Sequence, residues 1–192
     1  MPSISFRYWC SARATSLDRV ELAYTAVSGT DAGRRHATQQ LNHAYVVLLA
    51  GEFQGFCRDL YNEAVEAILP SIPPVLQKIV ATEFDLHRTL ARGNATPSNL
   101  GTDFARFDLE LWPAVDAVDA RGPALRRQLE QMNQWRNAIA HSDFNAARLG
   151  GRITVTAKTV RRWRRVCNRV ARLIDRALCD RLGTVLGTCP WP

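Results

Sequence analysis

Apolar residues recur at three- and four-residue steps along nearly the whole chain, the period of helices that each bury one face, while Gly and Pro punctuate the segments between them. A first helix reads from about Ser16 to Val27, with Thr15 or Ser16 as its cap and Asp18 in the first turn. The stretch SGTDAG breaks it. A long helix follows over roughly residues 34–69, with Tyr45, Leu49, Phe53, Phe56, Leu60 and Tyr61 among its inward positions, and Pro70 ends it. Pro73 and Pro74 start a third helix that stops at Gly93. After the loop NATPSN, a shorter helical piece over NLGTDFARFDLELW is interrupted by Pro113. The next helix begins at Pro123, turns Leu125, Leu129, Met132 and Ile139 inward, and carries His141 near its end. Beyond the loop SDFNAARLGG and a short extended entry at RITVT, a final helix from Ala157 to about Leu186 turns Val160, Trp163, Val166, Cys167, Val170, Leu173, Ile174 and Leu178 inward.

This pattern predicts an all-α fold, an antiparallel helical bundle with one long central helix and a basic C-terminal helix. With 192 residues and 46% hydrophobic content the chain can bury one sizeable core, so a single domain is expected over 16–187, between an N-terminal extension (1–15) and a short tail (188–192). Five cysteines, at 10, 57, 167, 179 and 189, include no Cys-x-x-Cys pair and suggest neither a disulfide framework nor a zinc module. Cys10, Cys57 and Cys167 read as small core residues. The longest apolar run, AYVVLLAG, falls well short of the roughly 20 residues of a membrane span, and a cytoplasmic, soluble protein is expected.

The formal charge of +7 is concentrated at one end. Between Arg152 and Arg181 ten basic residues face only Asp175 and Asp180, and the remainder of the chain is close to neutral. Such a segment suits an anionic partner, nucleic acid foremost, through Arg161, Arg162, Arg165, Arg169, Arg172 and Arg176. A solvated helix face explains the same residues equally well.

Candidate chemistry lies in QWRNAIAHSDF, residues 134–144. At the helical step, Arg136 and His141 stand about 140° apart around the axis, whereas Asn137 and His141, four residues apart, share a face. One unbroken helix therefore does not assemble a site from all three. A loosening of the helix at 140–142, or a second copy of the chain, would complete it.

The hexapeptide RNAIAH resembles the Arg-polar-x-x-x-His signature of the HEPN superfamily of helical ribonucleases, in particular its bacterial toxin and phage-defence branch. LNHAYVVLLAGEFQGFCRDLYNEAV looks like that branch's long helix, and NATPSNLGTDFARFDLELW is similar to the loop-and-helix insertion before its motif helix; the likeness covers about residues 35–180. What the resemblance implies is a metal-independent endoribonuclease that works as a homodimer on RNA, needs no cofactor, and has an antitoxin or neighbouring defence protein as a further partner. Arg136, His141 and Asn137 would be its catalytic residues. The chemistry suits them, since an imidazole exchanges protons near neutral pH and a guanidinium, always charged, stabilises a phosphorane.

Each residue also has a plainer reading: Arg136 as a surface ion pair, Asn137 as a helix-end residue, His141 as a C-terminal cap. Glu52, in the midst of an apolar helix, would support the site by polarising His141 or holding a phosphate-binding arginine, or would simply face solvent. His36 and His43 lack a third ligand, so no metal is expected. Two rival functions stay open, a catalytically silent HEPN module that binds RNA or a protein, and a DNA-binding regulator that uses the last helix.

Overall fold

Helix begins earlier in the chain than its apolar spacing predicts. In the computed structural model, which describes residues 1–27, 32–188 and 190–191, α1 (Ile4–Tyr8) passes through a π-helical turn at Trp9–Arg13 into α2 (Ala14–Val27). Neither Thr15 nor Ser16 is a cap. Ser3 caps instead, its hydroxyl accepting from the Phe6 N–H at 3.0 Å. Carboxylates from two other helices hold this end: Glu63 accepts from the Ile4 N–H at 2.7 Å and the Ser5 N–H at 2.9 Å, and Asp175 accepts from the Ser3 N–H at 3.2 Å. In a regular helix Trp9 and Leu17 would lie about 80° apart, and the wider π turn narrows that angle. Both are buried. The N-terminal extension is thus docked on the bundle through Ser3, Ser5 and Trp9, and Trp9 donates from Nε1 to Asn168 Oδ1 at 3.1 Å. Cys10, the next residue round this turn, is exposed and not a core residue.

The predicted break at SGTDAG falls largely on residues 28–31, which lie outside the described ones. Beyond them α3 (Ala32–Ile68) is the long central helix. Phe53, Phe56, Cys57, Leu60 and Tyr61 are fully buried along it, and Trp9 packs edge-on to Phe53 at 5.9 Å. Truncating one such aromatic to Ala typically costs about 3–5 kcal/mol.

The third helix is divided, contrary to the periodicity. α4 (Pro74–Asp85) ends before His87, whose φ of 61° no helix interior can hold, and α5 (Thr89–Arg92) starts afresh. A residue distant in sequence makes the division stable: the buried carboxylate of Asp103 accepts from the Thr89 and Leu90 N–H groups, both at 2.8 Å. Thr96 caps α6 (Pro97–Phe104), and a 3-10 turn at Ala105–Phe107 leads to α7 (Leu111–Val118). Pro113 sits in the first turn of α7, where its missing N–H has no helical partner to lose, so it opens a helix rather than interrupting one.

α8 (Gly122–His141) and α9 (Ala157–Leu186) complete the bundle, and α3 packs against α1, α2, α8 and α9. The predicted inward stripe of α9 is buried, apart from Leu173, which is half-buried. Thr156 caps α9 by accepting from the Thr159 N–H at 3.2 Å, and Gly187, with φ of 71°, ends it. RITVT forms no strand, and among the described residues every regular element is helical. No helix is long and apolar enough to cross a membrane among those residues.

Candidate functional site

The last two turns of α8 are fixed from below and bare from above. Leu125, Leu129, Met132 and Trp135 enter the core, and buried Asn133 donates to Ala95 O at 3.1 Å and to Leu129 O at 2.9 Å. The helix stays regular through His141 and does not loosen. It stops because Ser142 adopts the left-handed region (φ 55°), so that the Asp143 N–H reaches back to Ala138 O at 2.9 Å and the Ser142 N–H to Ile139 O at 3.4 Å. That reversal places His141 at the rim of the helix end, exposed, with no hydrogen bond or ion pair among the described residues.

Asn137 and His141 line one cleft of about 270 Å³, as their shared face requires. Across it the loop after α8 contributes Asp143 and Arg148, themselves 3.4 Å apart and both well exposed. Buried Leu149 anchors this loop, and Gly150 and Gly151 turn it at φ of 71° and 82°. Arg136 does not line the cleft. It reaches the cleft through Asn137, whose Oδ1 accepts from Arg136 Nη1 at 3.2 Å and from Asn94 Nδ2 at 2.7 Å. Both contacts to the Asn137 carbonyl leave its amide N–H groups free to donate.

Glu52 stands elsewhere. Its Oε2 accepts from Arg13 Nη1 at 2.5 Å, while Arg13 Nη2 takes Asp59 at 2.7 Å, so the carboxylate serves the packing of the N-terminal helix and touches neither Arg136 nor His141. His43, half-buried on α3, stacks on Phe144 at 5.4 Å and hydrogen-bonds Gln39 at 2.7 Å; burial lowers its pKa.

A family model described as RiboL-PSP-HEPN matches residues 16–180, most of the chain and both sides of this cleft. The chain belongs to the RiboL-PSP-HEPN family. No curated protein and no solved structure matches it. The resemblance carried by RNAIAH thus holds at the level of the HEPN superfamily.

In this HEPN chain the basic helix is less open than its charge suggests. Arg161 meets Glu21 at 3.4 Å and lies over the Tyr24 ring, Arg169 donates to Asp119, and Arg176 faces Asp180 at 3.8 Å. Arg162, Arg165 and Arg172 are exposed and have no ion pair among the described residues. Sequence reasoning did not single out Arg148, Asp143 or Asn94. The loops that carry them were visible, yet nothing in their spacing shows that they fold back on α8.

Proposed function

We propose that this HEPN chain is a metal-independent endoribonuclease, acting as a toxin or phage-defence effector. The observation that carries the reading is the state of His141: a solvent-facing imidazole with no hydrogen bond or ion pair among the described residues, on the same cleft wall as Asn137, at the end of the helix whose RNAIAH resembles the HEPN signature. In the reaction a base removes the proton of a ribose 2′-hydroxyl, the 2′-oxygen attacks the adjacent phosphorus, and the bond to the 5′-oxygen breaks as that oxygen takes up a proton. The products are a 2′,3′-cyclic phosphate and a free 5′-hydroxyl. His141 moves one of the two protons, Arg136 offsets the charge that gathers on the phosphorane, and Asn137 donates to a non-bridging oxygen.

The separation of Arg136 from the His141 cleft supports a composite site in which a second copy supplies part of the cation set. A homodimer with the two α8 ends facing each other would do this. The test is RNA cleavage in EDTA: cutting should persist, should require the 2′-hydroxyl, and should stop with His141→Ala. Cleavage of an all-deoxy or 2′-O-methyl strand would overturn the mechanism.

One observation favours a second reading, a silent HEPN module that binds RNA or a protein. Within a single chain Arg136 and His141 do not converge. Binding of RNA by a dimer that never cuts it would select that reading.

A further inference from the structure

A second cavity, of about 470 Å³, opens on the adjoining strip of α8, between that helix and the N-terminus of α9. Arg152, Lys158 and Arg162 stand on its rim, all exposed and none in an ion pair among the described residues, and no carboxylate lines it. This is unlike Arg161 and Arg164 on the same helix, which are met by Glu21 and Asp18. Three like charges around one hollow repel each other unless an anion sits among them. The N-terminus of the 30-residue α9 opens on the same hollow: Thr156 satisfies the Thr159 N–H, while the Ala157 and Lys158 N–H groups have no carbonyl within the helix to donate to.

Two further features say which anion. Leu149 lines both this cavity and the His141 cleft, so the two share a wall, and Trp135, which also lines the cavity, precedes His141 by six residues, about 9 Å along the helix. Gln128, also in the lining, has a buried Oε1 without any hydrogen-bond partner. A backbone phosphodiester has no O–H to donate to that oxygen, but a ribose hydroxyl has. We infer that the cavity is a phosphate subsite that holds a backbone phosphate, and the ribose beside it, of the RNA strand whose scissile bond lies at His141. The assignment rests on the proposed RNA-cleaving reading and deepens it.

The test measures binding, not cleavage. In the full chain carrying His141→Ala, fluorescence anisotropy compares a single-stranded RNA with a DNA of the same sequence. Arg152→Gln, Lys158→Gln and Arg162→Gln are combined in one variant, and Arg7→Gln, Arg19→Gln and Lys78→Gln, three exposed cations on α1, α2 and α4, make a control with the same loss of charge. The cavity variant should raise the Kd for RNA tenfold or more and flatten its salt dependence by about 0.7 for each phosphate no longer neutralised, against a threefold change or less in the control. Gln128→Leu should reduce the preference for RNA over DNA while leaving DNA binding as it was. Equal losses in the two triple variants, or unchanged affinity in a cavity variant still folded by circular dichroism, would overturn the subsite. So would a nucleoside diphosphate that loses its binding in the cavity variant yet does not displace RNA from the original chain, since the cavity would then take a free nucleotide. RNA that binds through the three cations of the original chain and is not cut would remove the nuclease reading and leave the subsite standing.

Discussion

Arg13 and Arg136 are both partly buried arginines on helices that pack against α3, and their surroundings could hardly differ more. Arg13 is clamped between Glu52 and Asp59, lies over the Tyr8 ring at 5.2 Å, and presses so closely on Gly55 that a Cβ there would meet its guanidinium at 2.6 Å. Its charge is fully answered inside the chain. Arg136 has only the neutral amide oxygen of Asn137, at 3.2 Å, and no carboxylate partner among the described residues. A half-buried cation without a counter-charge is costly to the fold, and it is what an arginine waiting for an external anion looks like. The difference separates arginines that hold the bundle together from those that face a ligand.

That contrast breaks most sharply if both kinds are removed. Arg136→Ala and His141→Ala should each slow RNA cleavage by about a thousandfold or more, a loss of roughly 4 kcal/mol of transition-state stabilisation. Combined, they should cost far less than the sum, because both act on one transition state. Thermal melting should not fall, since neither side chain answers a buried charge, and Arg136→Ala should raise it slightly by removing an unpaired, half-buried cation. Full activity in His141→Ala, or in a protein shown by sedimentation to be a dilute monomer, would return RNAIAH to the role of an ordinary helix end.

Arg13→Ala should do the opposite. Leaving Glu52 without its partner at 17% side-chain exposure costs about 2 kcal/mol after allowance for solvent around the more open Asp59, which lowers the melting midpoint by about 4–8 °C. Cleavage per folded molecule should stay at the original rate. If Arg13→Ala instead slowed turnover in the folded protein, Glu52 would have to act on the cleft, and the separation of the two arginines would fail.

Much of this was legible in the residues. The helical period located α3, α8 and α9 closely, and the 100° step correctly separated Arg136 from the Asn137–His141 face, because both depend on local geometry alone. What escaped depends on contacts made across the chain. The N-terminal helix is held by Glu63 and Asp175, and the division between α4 and α5 is held by Asp103. No local signal announces such caps. Glu52 looked out of place in an apolar helix, and it was, but its counter-charge lies 39 residues earlier. Pro113 misled because a proline that opens a helix and one that interrupts it are the same letter; only the turn before it tells them apart.

A smaller effect sharpens the comparison on α9. Arg165 and Arg172 are uncompensated like Arg136 but fully on the surface, so water already solvates them. Replacing both with Ala should raise KM several-fold, by roughly 1 kcal/mol, flatten its salt dependence, and leave kcat nearly unchanged. The same change at Arg161 and Arg176, which neighbouring carboxylates already engage, should matter less. Steady-state kinetics at two salt concentrations distinguish the cases, and a collapse of kcat with Arg165 and Arg172 would mean that the reacting phosphate lies on α9.

The least effect is expected where an answered arginine lies at the surface. Arg169 donates to Oδ2 of Asp119, and the Arg121 N–H donates to its Oδ1 at 3.1 Å, which together hold the Asp119 carboxyl down at about 2 from its ordinary 3.8. Because the folded state favours the ionised form, this pair stabilises the protein fully above about pH 4, progressively less as pH falls toward 2, and not at all below. Arg169 is well exposed, and solvent screening reduces what the shift is worth. Asp119→Asn should therefore lower the melting midpoint at pH 7 by only about 2 °C. Between pH 4 and pH 2 the original chain should lose that advantage, until the two melting curves coincide. A difference that persists unchanged at pH 2 would show that Asp119 acts through the shape of the α7–α8 turn and not through its charge. Arg169 would then join Arg165 and Arg172 among the arginines open to an external anion.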